Sequence, residues 1–301
     1  MQRIALIGAG RMGLPIVRAL VRGGNVVRVL DRDPALEPAV RRVGAVWAKD
    51  LDALIVGADV LFTVLPGGSE LRAVMLGDGS AGVLARLPRT TVWVDLTSGS
   101  PALGSELAAA ARARGIAHLD APMGGGPEGA EDAALTLYVG GDAHLLDQHR
   151  ALLECFADAN RINHCGASGA GYLTKLLINQ VWFGQAAALA EALLLGQRAG
   201  LSPALLGDLL GRSPAASAFI SEYLPALLDG DYLPSFGLDR CVEELESVAA
   251  AAAALGTPFA VSGAVTRVYR DALAHFGPIN GELLGVAYLE HLAGRRLGED
   301  H

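Results

Sequence analysis

Residues 4–13, Ile4-Ala5-Leu6-Ile7-Gly8-Ala9-Gly10-Arg11-Met12-Gly13, constrain this chain more than any other segment. A short apolar run passes directly into Gly-x-Gly-x-x-Gly, an amphipathic stretch follows, and a second apolar run, 26–30, ends at Asp31. Each piece has a physical task. Gly8 permits a tight strand-to-helix turn, Gly10 removes a Cβ so that a pyrophosphate can approach the backbone, and Gly13 lets the helix pack closely on its strand. With Arg11 and Met12 in the same turn, the helix start offers unpaired N–H groups to an anion. Asp31, 18 positions beyond Gly13, is placed to accept hydrogen bonds from ribose hydroxyls and to repel a 2′-phosphate, which favours NAD. Arg32 next to it would receive that phosphate if Asp31 turned away, so NADP stays open as the cofactor.

The rest of the first half repeats this alternation. Strands are predicted at 3–7, 26–30, 60–64, 91–96, 117–119, 135–139 and 161–163, with helices between them, for example 12–21, 51–56 and 101–114. Such alternation indicates a mostly parallel sheet covered on both faces. Beyond Gly166 the pattern becomes helical, beginning with one long stretch over 170–199 and continuing through breaks at Pro214, Pro234, Pro258 and Pro278. The predicted fold is therefore α/β. A Rossmann doubly wound sheet over 1–165 is followed by an all-helical domain over 166–301, for substrate and self-association, joined by the long helix.

Composition excludes several classes. A formal charge of −8 without a basic block argues against nucleic acid. The apolar stretch near 181–195 is interrupted by Gln185 and Glu191, which reads as a buried helix and not a membrane span. Cys155, Cys165 and Cys241 are widely separated, with neither metal-ligand nor disulfide spacing, so no metal site is expected and a reducing cytoplasm is. The first strand begins almost at Met1, leaving no room for a signal peptide. Long apolar helices suggest a homodimer or homotetramer.

Four later clusters carry polar groups suited to chemistry. Leu65-Pro66 follows a strand and begins a proline-fixed turn, at the sheet end that borders the ligand crevice in this fold class. Asp95-Leu96-Thr97-Ser98-Gly99-Ser100-Pro101 leads from a strand into a helix; Ser100 reads as an N-cap before Pro101, which leaves Ser98 for a cofactor or substrate. Gly124-Gly125-Gly126, after Asp120, presents a row of bare N–H groups, a seat for a carboxylate or else a flexible turn. Lys175 and Asn179, four apart on the long helix, share a face, with Gly169 and Gly171 just upstream. Apolar neighbours at Leu173, Leu176, Leu177 and Ile178 suit Lys175 to proton transfer; a lysine stem crossing a helix surface to water is the plainer alternative.

Together these clusters resemble the β-hydroxyacid dehydrogenase family, the group of 3-hydroxyisobutyrate dehydrogenase and tartronate semialdehyde reductase. The motifs that match are Gly8-Ala9-Gly10-Arg11-Met12-Gly13, Leu65-Pro66, Thr97-Ser98, Asp120 to Gly126 with Gly129-Ala130, and Gly169-x-Gly171-x-x-x-Lys175-x-x-x-Asn179. The resemblance implies NAD(P)-dependent hydride transfer between a small 3-hydroxy acid, or related alcohol, and its carbonyl form. It further implies Lys175 as general acid–base, Asn179 beside it, and Gly124, Gly125 and Gly126 at the substrate. Two positions depart from the family. Its Ser-Gly-Gly, whose serine helps bind the substrate carboxylate, reads Gly124-Gly125-Gly126, and its Lys-Asp after Phe236 reads Glu243-Glu244. An anion at Glu243 would disfavour a small anionic substrate or would sit against a cationic or polar group. An imine reductase-like enzyme and a non-catalytic dinucleotide-binding protein are the alternatives. A 6-phosphogluconate-type decarboxylase is disfavoured by Ile178, where that group has histidine.

Overall fold

The computed structural model describes residues 1–79 and 81–298. The apolar runs assemble into a nine-stranded sheet. Strands β1 (Arg3–Ile7), β2 (Val26–Leu30), β3 (Val46–Trp47), β4 (Val60–Thr63), β5 (Val92–Asp95) and β6 (His118–Asp120) are parallel, in the order β3-β2-β1-β4-β5-β6. This is the doubly wound Rossmann order. Strand order reverses between β1 and β4, and ligands of such sheets lie beyond the strand C-termini there. The sheet continues through β7 (Met123–Gly124), β8 (Leu135–Gly140) and β9 (Ala157–Gly166); β8 is antiparallel to β6 and β7, and β9 is parallel to β8.

Two strands escaped sequence reading because two residues each cannot display an alternation: β3 and β7. The last strand is longer than predicted because polar Asp158 and Asn160, with Asn160 exposed, interrupt any apolar signal before Arg161.

Helices α1 (Gly13–Arg22), α2 (Glu37–Arg42), α3 (Leu51–Ile55) and α4 (Gly68–Leu76) occur in the first half of this region. They are followed by α5 (Val83–Arg86), α6 (Pro101–Ala113), α7 (Gly126–Glu131) and α8 (Ala143–Leu153). Strand β1 shows why its sequence is apolar throughout. Ile4 and Leu6 pack with Ile16, Val17 and Leu20 of α1, whereas Ala5 and Ile7 pack on the other face with Leu54, Leu71 and Leu107 of α3, α4 and α6. Full burial of each large aliphatic side chain contributes about 1.5–3 kcal/mol.

After β9 the chain is helical: α9 (Ala170–Arg198), α10 (Pro203–Gly211), α11 (Ala218–Leu228), α12 (Leu238–Leu255), α13 (Ala260–Phe276) and α14 (Leu284–Ala293). The chain forms two compact units, Met1–Lys175 and one beginning at Leu176, so the division falls within α9. In the second unit, Ala186, Ala190 and Leu193 of α9 pack with Phe219, Leu224 and Leu227 of α11 and Val286 of α14. Phe183 of α9 joins Cys241 and Leu245 of α12 and Tyr269 of α13 in a second cluster. Among the described residues no helix is long and apolar enough to cross a membrane.

Candidate active site

The turn between β1 and α1 separates the tasks of its three glycines. Gly8 has φ +100°, and a Cβ there would lie 2.1 Å from the Val64 carbonyl oxygen. A Cβ on Gly13 would lie 1.9 Å from the Gly8 carbonyl oxygen. The protein's own backbone demands these two glycines. Gly10 differs: it is exposed, and a Cβ there would meet no atom within 4 Å. Its bareness leaves room for something outside the chain. Met12, the N-cap of α1, makes no side-chain capping bond, and the first turn of the helix holds no acidic residue. The uncapped helix start and the open space over Gly10 fit a pyrophosphate.

At the end of β2, the Asp31 carboxylate is clamped against this turn. It accepts the Ala9 N–H at 2.7 Å on one oxygen and the Asp33 N–H at 2.9 Å on the other. A carboxylate offers about four acceptor sites, so lone pairs remain for a diol. Arg11 and Arg32 are exposed.

The turns after β4 and β5 meet. Leu65, half-buried, donates its N–H to Thr97 Oγ1 at 3.1 Å, and Pro66 beside it is exposed. Ser100 caps α6 by accepting the Leu103 N–H at 3.2 Å, while Ser98 is half-buried. Beneath them Asp95 is fully buried and accepts hydrogen bonds from the Thr63 and Tyr172 hydroxyls.

The second glycine cluster, Gly124-Gly125-Gly126, is built differently from the first. Gly124 lies in β7, opposite Thr136 of β8, and a Cβ there would meet Tyr138 Oη at an ordinary 3.5 Å. Gly125 and Gly126 are exposed and left-handed, with φ +111° and +63°. Asp120, which opens this segment in the sequence, faces elsewhere. Its buried carboxylate accepts the Gly169 N–H at 2.7 Å and the Tyr172 N–H at 3.2 Å, capping the start of α9. Desolvation pushes its pKa above the ordinary aspartate value, and these amides pull it part of the way back.

The glycines upstream of Lys175 have a corresponding explanation. A Cβ on Gly171 would lie 2.2 Å from the Tyr138 carbonyl oxygen and 2.8 Å from an Asp120 oxygen. Gly171 therefore admits the sheet and Asp120. Lys175 is half-buried; of its four apolar sequence neighbours, Leu177 and Ile178 are exposed.

One turn further along α9, Asn179 Nδ2 donates to Glu244 Oε2 at 2.6 Å. The structure thus brings Glu244, not Glu243, to Asn179. Glu244 is buried, whereas Glu243, one residue earlier and about 100° round the helix, is exposed and accepts from Arg240 Nη1 at 2.9 Å. Because a carboxylate only accepts, Glu244 fixes the Asn179 amide with its Nδ2 facing Glu244.

Comparisons with known proteins agree with this geometry. The pattern described as the NAD binding domain of 6-phosphogluconate dehydrogenase matches residues 3–166, and that described as NAD-binding of NADP-dependent 3-hydroxyisobutyrate dehydrogenase matches 169–284. The chain is 34% identical to the NAD-dependent L-serine dehydrogenase of Pseudomonas aeruginosa over 75% of its length and 74% of that protein's. It is 31% identical to the 2-(hydroxymethyl)glutarate dehydrogenase of Eubacterium barkeri over 90% and 89%. The chain belongs to the β-hydroxyacid dehydrogenase family. It is also similar to the solved structure of Mycobacterium tuberculosis 3-hydroxyisobutyrate dehydrogenase with L-serine, with a TM-score of 0.85 and 30% identity over 96% of this chain and 99% of that one. A β-hydroxyacid dehydrogenase is an oxidoreductase that uses a nicotinamide dinucleotide, and the glycine turn and Asp31 of this one fit that cofactor.

The sequence of this dehydrogenase gives little sign of two residues that hold α9 and Asn179. Tyr172 stands between the second glycine of its helix motif and Lys175, yet nothing in its spacing marked it. Glu244 was noticed only as one of an acidic pair, and helix phase alone decides which of the two faces Asn179.

Proposed function

We propose that this dehydrogenase interconverts a small 3-hydroxy acid and its semialdehyde, with Lys175 as the proton carrier. The observation that carries this reading is the placement of Lys175 and Asn179 one turn apart on α9, with the Asn179 amide held by Glu244. The bound nicotinamide supplies the hydride acceptor or donor. Lys175 Nζ takes the hydroxyl proton as the carbonyl forms and returns it in the reverse direction. Asn179 holds the substrate hydroxyl or the lysine in line. Gly125 and Gly126 offer backbone N–H groups to the substrate carboxylate, with Gly124 beside them. Gly8, Gly10, Arg11, Met12, Gly13, Leu65, Pro66 and Ser98 line the cofactor. Catalysis beyond proton transfer is the positioning of two reactants.

The names of relatives support a substrate class. L-Serine, 3-hydroxyisobutyrate and 2-(hydroxymethyl)glutarate, named for their activities, share a primary alcohol on the carbon next to the α-carbon of a carboxylate. That HO–CH2–CH(R)–COO− unit is the substrate class assigned here. Both bonds on Asp31 oppose the rotation that would make room for a 2′-phosphate, so NAD is the preferred cofactor. Leu205 and Leu209, exposed one turn apart on α10, support a homodimer or homotetramer, and three free cysteines fit a cytoplasmic setting. Light scattering on the purified protein checks the first; a monomer at micromolar concentration would refute it.

The test is turnover of a panel of such alcohols with NAD and NADP, with Lys175→Ala alongside. Wild type is expected to turn over at least one member and to prefer NAD, and the variant to lose roughly 10²–10⁴-fold in kcat. Full activity in the variant would remove the lysine from the mechanism. Tight cofactor binding without turnover of any alcohol would instead favour imine reduction or a binding role.

A further inference from the structure

Asp95 ends β5 entirely inside the protein and gathers polar groups from three directions. The Thr63 hydroxyl at the end of β4 and the Tyr172 hydroxyl in the first turn of α9 donate to its two oxygens, and the Thr97 N–H donates at 3.3 Å. The network continues outward: Trp93 Nε1 donates to Thr63 Oγ1 at 3.0 Å, and the Leu65 N–H donates to Thr97 Oγ1 at 3.1 Å. One buried carboxylate therefore joins the turn bearing Leu65-Pro66, the turn bearing Thr97-Ser98, and the helix bearing Lys175.

Tyr172 has little freedom to swing. A Cβ on Gly104 would lie 2.5 Å from its ring and one on Gly99 would lie 3.2 Å away, so both glycines exist to admit it. Lys175 follows three residues later, on the next turn. The two carboxylates near this turn divide the labour. Asp120 holds the backbone of α9, and Asp95 holds a side chain of α9 together with the turns after β4 and β5. Apolar groups of similar shape would fill the same space without the desolvation cost of a buried carboxylate. The cost is worth bearing where a fixed hydrogen-bond geometry is needed.

We infer that Asp95 and Tyr172 are a positioning pair through which occupancy of the two cofactor-facing turns sets the placement of Lys175. This rests on the roles proposed above for those turns and for Lys175. Neither residue touches the reacting atoms; both act through the start of α9. Burial pushes the Asp95 carboxyl up to about 6, against the opposing pull of its Thr63, Tyr172 and Thr97 donors. The groups facing it from β4 and the turn after β5, Thr63 and Thr97, are uncharged, as is Trp93 behind Thr63. From α9 it meets Tyr172, whose own ionisation is pushed well above the usual tyrosine range by burial, by Asp95 and by Asp120 on β6. Above that pH the carboxylate accepts all three donors. Below it the carboxyl carries its own proton, and one donor must turn away.

The test compares wild type with Tyr172→Phe and Asp95→Asn, by hydrogen exchange over residues 168–180 with and without NADH and by kcat against pH. Phenylalanine keeps the ring between Gly99 and Gly104, and a thermal melt confirms that the fold survives. In wild type, NADH is expected to slow exchange at the start of α9, and kcat is expected to fall as pH drops through about 6. Tyr172→Phe is expected to bind NADH within about threefold of wild type, to lose the NADH-dependent protection and to lose at least tenfold in kcat. Asp95→Asn, with no proton to gain, is expected to flatten the acid limb. Protection and kcat unchanged in Tyr172→Phe would overturn the inference. Lys175→Ala separates the two readings: activity retained there sinks the lysine's role, while NADH-dependent protection in that variant still reports the coupling.

Discussion

Two glycine-rich segments of this chain differ in what keeps them glycine. After β1, Gly8 and Gly13 are imposed by main-chain atoms about 2 Å from where a Cβ would stand. After β6, Gly124 has ordinary room for a Cβ, and Gly126 meets nothing within 4 Å. The first turn is constrained from within, so any chain that binds a dinucleotide this way must spell it alike. In the second, only position 124 is permissive, because the left-handed φ of Gly125 and Gly126 favours glycine there, so residue 124 is the one a family can vary to suit the substrate. That difference explains why Gly8-x-Gly10-x-x-Gly13 is a motif and why Gly124 is a departure from one.

Substitutions can break this contrast, and the largest effect is expected at Gly13. In Gly13→Ala the new methyl meets the Gly8 carbonyl, which no rotamer change relieves; a loss of about 3 kcal/mol or more in denaturant unfolding is expected, with loss of NADH binding. Wild-type stability would show that the turn yields easily and that the contrast is false. Gly10→Ala is expected to separate stability from binding. Its unfolding free energy should stay within about 0.5 kcal/mol of wild type, while NADH affinity in a fluorescence titration falls at least tenfold, or about 1.4 kcal/mol. Destabilisation with unchanged affinity would mean that the space over Gly10 is not the cofactor's.

Smaller effects are expected in the second turn. Gly126→Ala costs about 1 kcal/mol for its left-handed φ of +63°, without a steric clash, and a melting curve measures it. Gly124→Ser is expected to be the mildest in stability, within about 0.5 kcal/mol, because the space beside Tyr138 accepts a Cβ. If the serine hydroxyl adds a donor to the substrate carboxylate, KM for the preferred hydroxy acid falls severalfold while kcat holds. A large stability loss in Gly124→Ser would erase the distinction between the two turns.

The candidate site was legible in unequal parts. Asp31 was readable because its place at the end of a strand, at a set distance from the glycines, follows from local geometry. Lys175 and Asn179 were readable as a pair because helix periodicity puts residues four apart on one face. Asp120 was misleading: it neighbours a substrate-like glycine cluster in sequence, yet its carboxylate caps a helix that begins 50 residues later. Its partners are backbone amides, which every residue type possesses and which leave no mark on a sequence. Of the acidic pair after Arg240 the sequence singled out Glu243, but helix phase turns Glu244 to Asn179 and leaves Glu243 on Arg240.

The sequence by itself determined the doubly wound sheet, the nucleotide turn and the long helix that carries the lysine. These depend on periodicity and on backbone constraints acting within about thirty residues. The tertiary structure decided what holds that helix in place: Asp95 and Asp120, on neighbouring strands, grip Tyr172 and the amides around it across 49 to 77 residues of chain. A buried hydrogen bond between such distant residues depends on how whole elements pack, and only the folded chain brings the two partners together.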